Sequence, residues 1–347
     1  MKKKVGILTG GGDCPGLNPA IRAVIRVLTK HDYDVIGFKG GWKGPIENQT
    51  ISIDFANIDK LLIEGGTCLR SSRTNPYKTD GGVEAIKKTF LDQNLHALVA
   101  IGGEDTMGVA HRLFTEENLP IVGIPKTIDN DLDATDMTLG FQTAVQIATE
   151  AMDRLKTTAE SHDRVMVVEI MGRHAGWLTA YSGLAGGADV VITPEFPMDL
   201  DEICKYIQST QSRGKNYALI AIAEGATILH NGKEVTSQSE KPVDSFGHVQ
   251  LGGIGDVLKS LLKEKTGRDV RATNLGHIQR GGTPTAMDRV LSTSLGLECA
   301  KNIMNKNWGS MSAFKDGKIQ TVTLADGVGR LKILTEEFYD RCKAFFG

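Results

Sequence analysis

No stretch of the sequence approaches the ~20 consecutive apolar residues that a membrane span requires. No secretory signal is expected either. Met1-Lys2-Lys3-Lys4 supplies a basic start, but only Val5 to Leu8 follow before a glycine loop, short of the roughly 7–15 apolar residues a signal needs. Cysteine is scarce. The five present (Cys14, Cys68, Cys204, Cys299, Cys342) are odd in number, far apart and never spaced as C-x-x-C. That pattern argues against a disulfide framework or a zinc site and favours a reducing, cytoplasmic location. Low-complexity tracts, sustained heptads and strict repeats are absent too. Neither sign of charge is in excess: 40 Lys and Arg against 42 Asp and Glu leave a net −2. Such a chain has no global field to hold a polyanion, which argues against generic nucleic-acid binding. Any phosphate it binds must be held by a few local arginines and backbone amides.

What the chain has is glycine, 40 of 347 residues against 10 prolines, above the usual ~7%. The length predicts two domains of ~150 residues, and 40% hydrophobic with 24% charged residues suits a sizeable core. Near-continuous apolar runs predict strands at Val5–Thr9, Val35–Phe38, Ala97–Ile101, Ile121–Ile124, Val165–Ile170, Val190–Thr193 and Ala218–Ala223. Helical periodicity falls between them, at Pro19–Lys30, Gly82–Leu91, Phe141–Ala159 and Thr285–Asn305. The alternation predicts an α/β protein of open parallel sheets. Glycines sit where strands end: Gly10-Gly11-Gly12, Gly102-Gly103, Gly172, Gly186-Gly187 and Gly281-Gly282. They serve either as tight turns or as places where backbone approaches a ligand beyond the strand ends.

Four motifs carry chemistry. Strand Val5–Thr9, loop Gly10-Gly11-Gly12-Asp13-Cys14-Pro15-Gly16-Leu17-Asn18 and the following helix make an anion site from backbone N–H groups and a helix dipole. The loop is neither a Walker A motif, lacking Lys-Ser/Thr at the spacing, nor G-x-G-x-x-G, since Pro15 replaces the third glycine. Gly102-Gly103-Glu104-Asp105-Thr106 opens a helix with two acids. These are either dipole partners or, at Glu104, support for magnesium, which binds through one or two carboxylates plus phosphate oxygens. Pro125-Lys126-Thr127-Ile128-Asp129-Asn130-Asp131 follows a buried strand and is either a plain turn or a source of a general base, metal support and a phosphate partner. The last set is arginine-rich: Arg164, Arg173, Arg271 and Arg280, with His174 and His277 nearby. Guanidinium groups at comparable strand ends suit a phosphomonoester.

Taken in order, Gly-Gly-Asp-x-Pro-Gly-x-Asn, Gly-Gly-Glu-Asp-Thr, Pro-Lys-Thr-Ile-Asp-Asn-Asp, Met-Gly-Arg-His-x-Gly and Gly-His-Ile-Gln-Arg-Gly-Gly resemble the 6-phosphofructokinase family from Val5 to about Ala300. The resemblance implies two similar three-layer α/β domains with mostly parallel sheets and the active site in the cleft between them. By it, 1–139 with about 279–328 form a phosphoryl-donor domain, and 140–278 with about 329–347 a sugar-phosphate domain. Asp129 matches the base that deprotonates the 1-hydroxyl of fructose 6-phosphate, flanked by Thr127 and Asp131, and Glu104 matches the Mg2+-supporting acid. Gly12 and Arg73 match donor-phosphate contacts. Met171, Gly172, Arg173 and Glu224 match sugar contacts, and Arg164, Arg271, His277 and Arg280 the 6-phosphate site. Family members bring Arg164 and Arg271 from a neighbouring subunit, so a homodimer or homotetramer with a shared active site is implied, with no nucleic-acid or membrane partner.

The donor is read from two departures. ATP-using bacterial relatives resemble Gly-Gly-Asp-Gly-Ser and Pro-Gly-Thr-Ile-Asp-Asn-Asp; this chain has Asp105 and Lys126 at the two differing glycines. Asp105 puts like charge where the inner phosphate of ATP approaches, whereas pyrophosphate ends before it. Lys126 adds a cation for the leaving phosphate. Both match the pyrophosphate-dependent branch, implying reversible formation of fructose 1,6-bisphosphate in glycolysis or gluconeogenesis; the ATP-dependent enzyme is the alternative. A silent sugar-phosphate sensor is disfavoured by Asp129, Glu104 and the arginines, and a nicotinamide dehydrogenase by Pro15. Arg22 and Arg26 lie where allosteric relatives hold effectors, but Tyr217 replaces a histidine found in some of these. The segment Thr227–Gln250 is longer than in the short enzymes. Weak or absent regulation is expected.

Overall fold

A computed structural model describes residues 2–53, 55–236 and 252–347. In chain order the first half runs β1 (Lys3–Thr9), α1 (Leu17–Lys30), β2 (Tyr33–Phe38), α2 (Lys43–Ile46), β3 (Thr50–Ile51), α3 (Gly82–Asp92), β4 (Leu95–Gly102), α4 (Glu104–Glu117), β5 (Ile121–Pro125) and α5 (Phe141–Ser161). It continues with β6 (Val165–Ile170), α6 (Trp177–Ala185), β7 (Val190–Ile192), β8 (Met198–Asp199), α7 (Leu200–Ser212) and β9 (Ala218–Ala223). The remainder is β10 (Ile228–His230), β11 (Lys233–Val235), α8 (Ile254–Thr266), β12 (Val270–Asn274), α9 (Ala286–Met304), β13 (Ser310–Lys315), β14 (Lys318–Thr323) and α10 (Glu336–Lys343).

The described residues of Met1–Thr143 and Arg280–Leu331 form one compact unit; those of Ala144–Pro242, Val249–Gln279 and Lys332–Gly347 form the other. The first unit is built on a seven-stranded sheet, β14-β13-β5-β4-β1-β2-β3. Its five inner strands are parallel, and β3 and β14 run antiparallel at the edges. Helices cover both faces of such strands, and β5 is accordingly buried along its whole length. The second unit holds a parallel four-stranded sheet, β12-β6-β9-β7, and a small sheet, β11-β10-β8. β6 and β9 are likewise buried throughout.

Every strand and helix expected from periodicity is present, within two residues at each end. Periodicity gives no sign of β12, β13 and β14. β12 reads Val-Arg-Ala-Thr-Asn and β14 is half exposed, so neither has the apolar run of an inner strand. Of the long segment 227–250, β10 and β11 form a hairpin at its start, and 237–250 lies outside the described residues.

Helix α5 begins without a cap of its own in sequence. Its first N–H groups are met by Asp288, a fully buried carboxylate on the first turn of α9. Asp288 accepts from Gly140 N at 3.0 Å, Thr143 N at 2.7 Å and Thr143 Oγ1 at 2.5 Å. Burial pushes its carboxyl above the ordinary range, and these three bonds oppose that rise. An orphaned buried donor costs about 1–3 kcal/mol, so Asp288→Ala is expected to destabilise the fold by about 3 kcal/mol. Urea unfolding followed by far-ultraviolet circular dichroism measures it.

Candidate active site

Parallel pairing sets Thr9 level with Ile101, and Ile101 level with Ile124. Strands β1, β4 and β5 therefore end together, and their three following loops start from one edge of the sheet. Backbone bonds tie these starts, with Gly10 N donating to Ile101 O and Lys126 N to Gly102 O, both at 2.9 Å. Three of the sequence motifs are thus brought together in the first unit, as open α/β sheets require of a ligand site.

The glycine loop is clasped by two cations. Lys126 Nζ donates to the Gly12 carbonyl, and Arg280 Nη1 donates to the Asp13 carbonyl at 3.3 Å. A Cβ on Gly12 would stand 2.5 Å from Arg280 Nη1, so this position has room for no side chain while the guanidinium stays in place. Lys126 is 3% exposed. Burial lowers its pKa from the ordinary 10.5 to about 8; the Arg280 charge pushes the same way, against Cys14, Asp13 and Asp129. Ser71 Oγ donates to the Gly11 carbonyl and Gly11 N to Ser72 O at 3.4 Å, which lays the segment carrying exposed Arg73 against the loop.

Beside the cations stand carboxylates. Glu104 and exposed Asp105 open α4 after Gly103. The 127–131 loop is pinned by Asn130, a buried residue with φ +53 whose Oδ1 accepts from Thr138 N at 3.0 Å. Asp129 N donates to Thr127 Oγ1 at 3.1 Å. Burial and then the Asp129 charge raise the Asp131 carboxyl well above its usual range, with Glu104 adding to the rise and Thr127 opposing it. Among the described residues no three His, Cys, Asp or Glu side chains form a ready-made metal cluster. Asp131 nevertheless feels the charges of Asp129 and Glu104, and a divalent cation relieves that repulsion. One or two carboxylates completed by phosphate oxygens is the donor set magnesium takes, so these residues fit it.

The second unit gathers the other residues at the carboxyl ends of β6, β9 and β12. Ile170 pairs with Ala223, so Met171 and Glu224 leave the sheet side by side, and Glu224 N donates to Ile170 O at 2.8 Å. Gly225 N donates to Gly172 O at 3.2 Å, and a Cβ on Gly225 would lie 2.1 Å from Arg173 O. The loop carrying Gly172 and Arg173 thus packs on bare backbone. Exposed His277 lies in a 3-10 turn, Gly276–Arg280, just beyond β12.

Two arginines are elsewhere. Arg164 precedes β6, as its place before the run Val165–Ile170 implies, and Arg271 is the second residue of β12, so both stand at the amino ends of these strands, away from Met171 and Glu224. Six residues at ~3.3 Å each separate Arg164 from Met171 by about 20 Å. Asp269 holds the pair, accepting from Arg164 Nε at 2.7 Å and facing Arg271 Nε at 3.1 Å. The Arg164 bond, then both guanidinium charges, draws the Asp269 carboxyl below its usual range. Arg280 belongs to the first unit, against Gly12.

Sequence reasoning passed over Glu169, Asn274 and Gln279. Glu169 is 2% exposed and Gln279 wholly buried. A lone acid inside Val-Met-Val-Val-Glu-Ile was the available signal for Glu169.

The phosphofructokinase family model matches residues 4–303. A pyrophosphate–fructose 6-phosphate 1-phosphotransferase of Amycolatopsis methanolica is 51% identical over 99% of this chain and 100% of its own. An ATP-dependent 6-phosphofructokinase of Mycobacterium tuberculosis is 45% identical, also over 99% of this chain and 100% of its own. The crystal structure of a pyrophosphate-dependent phosphofructokinase from Marinobacter aquaeolei matches at TM-score 0.80 and 22% identity, covering 99% of this chain and 92% of that one, and shows the fold.

Because the atom that a Gly12 Cβ meets is the tip of a flexible side chain, Gly12→Ala is expected to change unfolding free energy by less than about 1 kcal/mol. Displacing Arg280 should weaken binding of pyrophosphate, used as a minimal phosphate probe, about tenfold in a calorimetric titration.

Proposed function

This chain belongs to the phosphofructokinase family, and from that premise we propose that it transfers a phosphoryl group from pyrophosphate to the 1-hydroxyl of fructose 6-phosphate, reversibly, giving fructose 1,6-bisphosphate and phosphate. Asp105 on the first turn of α4 is the observation that carries the choice of donor. A carboxylate at a helix N-terminus cancels the positive end of the dipole that would otherwise attract a further phosphate. ATP is the second reading, because a relative named ATP-dependent is 45% identical over nearly the whole chain.

Phosphoryl transfer asks for positioning and charge neutralisation more than covalent help. In this reading Asp129 accepts the proton of the attacking 1-hydroxyl, and Thr127, whose hydroxyl accepts the Asp129 N–H, fixes the loop that presents it. Lys126 and the N–H groups around Gly12 hold the donor, with Arg73 beside them. Bound magnesium would draw charge from the phosphoryl oxygens, and Glu104 with Asp131 would hold it. Met171, Gly172, Arg173, Glu224 and His277 bind the sugar phosphate, and Arg280 brings charge to the glycine loop. Arg164 lies about 20 Å from Met171, one strand length away, and Arg271 stands beside it, level with Met166, which supports a reading in which they serve the site of a second copy of the chain. A homo-oligomer follows from that reading, and the scarce, scattered cysteines support a cytoplasmic location. Among the described residues no helix is long and apolar enough to cross a membrane.

Weak regulation is supported by two clusters in which a carboxylate already occupies the cations an effector would need. Arg22 and Arg26 both bond Asp59, at 2.7 and 2.9 Å. Beside Tyr217, Lys215 is bound to Asp189 at 2.5 Å in a cavity of about 440 Å³.

Initial rates with each donor at equal magnesium should show a higher kcat/KM for pyrophosphate than for ATP; the reverse order overturns the donor assignment. Asp105 is exposed, so its repulsion of a phosphate at ~4 Å is screened to about 1–4 kcal/mol. Asp105→Gly is therefore expected to raise kcat/KM for ATP by about tenfold or more.

A pH profile supplies a second check. Lys126 is cationic below about 8, so its attraction for the donor is fully present below that value and lost as pH rises through it. The kcat/KM for pyrophosphate should fall above pH about 8. A profile still flat well above that would remove Lys126 from the donor site.

A further inference from the structure

Glu169 is a buried acid absent from the sites above, yet three segments of the second unit meet on it. Its Oε1 accepts from Asn274 Nδ2 at 2.7 Å and Gly253 N at 2.8 Å, and its Oε2 from Gly255 N at 2.8 Å. Gly253 caps α8, so the carboxylate sits at that helix's positive end. Its own carbonyl accepts Leu275 N at 3.0 Å. One residue thereby joins the end of β6, the end of β12 and the start of α8.

The connection closes into a ring. From Glu169 it passes to Asn274, then two residues along the backbone to Gly276, whose carbonyl accepts Gln279 Nε2 at 3.1 Å. Gln279 Oε1 accepts Met171 N at 3.3 Å, two residues beyond Glu169. Met171 begins the segment through Arg173, and His277 sits between Gly276 and Gln279, so the ring encloses the loops that carry both.

We propose that Glu169 is a positioning residue for the sugar phosphate: through Asn274 and Gln279 it sets Met171–Arg173 and His277 in register with each other. It touches no reacting atom. The role rests on the assignment of those residues to fructose 6-phosphate made above. Glutamine at 169 would turn an amide N–H₂ toward donors that need an acceptor, leaving at least one buried N–H unmet.

Four measurements test this on the full-length protein: titration of fructose 6-phosphate alone by calorimetry, KM for each substrate, kcat and thermal unfolding. Glu169→Gln is expected to raise Kd and KM for fructose 6-phosphate about tenfold, with the donor KM within about twofold and kcat within about threefold of the parent. Should that variant fail to fold, Asn274→Ala opens the same ring at an exposed residue and should raise the sugar KM about threefold with the same split. Unchanged sugar KM in the folded variants overturns the proposal. Equal losses for both substrates, or a fall in kcat alone, also overturn it, because general loosening of the fold would do that. A parent protein that does not bind fructose 6-phosphate overturns the functional reading at the first titration, before any variant is compared, and the positioning role falls with it.

Discussion

The ammonium of Lys126 is buried beneath a loop of three glycines, and the donor-side site is organised around it. Removing a charge from water is costly unless polar groups replace the lost hydration. Here the replacements are the Gly12 carbonyl, the nearby charges of Asp13 and Asp129, and whatever anion the site receives. Arg280 repels the same ammonium, while Asp13 and Asp129 attract it. A chain of net charge −2 thus sets two cations among carboxylates where strand ends and a glycine loop meet.

Much of this was legible in the sequence. Strands buried on both faces, such as Val165–Ile170 and Ala218–Ala223, announce themselves as apolar runs, and their ends could be placed to the residue. The edge hairpin of β13 and β14 could not be read that way. It alternates polar and apolar residues, and only Asp316-Gly317, both at positive φ, marks its turn. On the site, motif spacing singled out residues of the glycine loop, the α4 start and the 127–131 loop, which the sheet brings to one edge, but not the residues that brace the second unit's loops. Glu169 and Gln279 act through bonds to residues about 85 to 110 positions away, and no local pattern encodes such partners. Strand direction was legible only where the strand was: Arg164 precedes and Met171 follows the run Val165–Ile170, whereas Arg271 could not be placed because β12 has no apolar run.

Identity over the full chain discriminates poorly between donors. Relatives named for pyrophosphate and for ATP stand at 51% and 45%. The proposed donor choice rests instead on a few ångströms around the first turn of α4. An anion there competes with a dipole of about half a charge, so one carboxylate is enough to reverse the local field. The rest of the fold need not change.

The bond from Lys126 to the Gly12 carbonyl has one more effect. A trans peptide is planar, with its C=O and the next N–H pointing opposite ways. By holding the carbonyl of Gly12 on its own side, the lysine turns the Asp13 N–H to the other. A single ammonium therefore works as a rudder for one peptide plane, converting a charge hidden under the loop into a hydrogen-bond donor with a fixed heading above it. Neutralising that lysine would free the plane to rotate, and the loop would lose an aimed dipole as well as a charge.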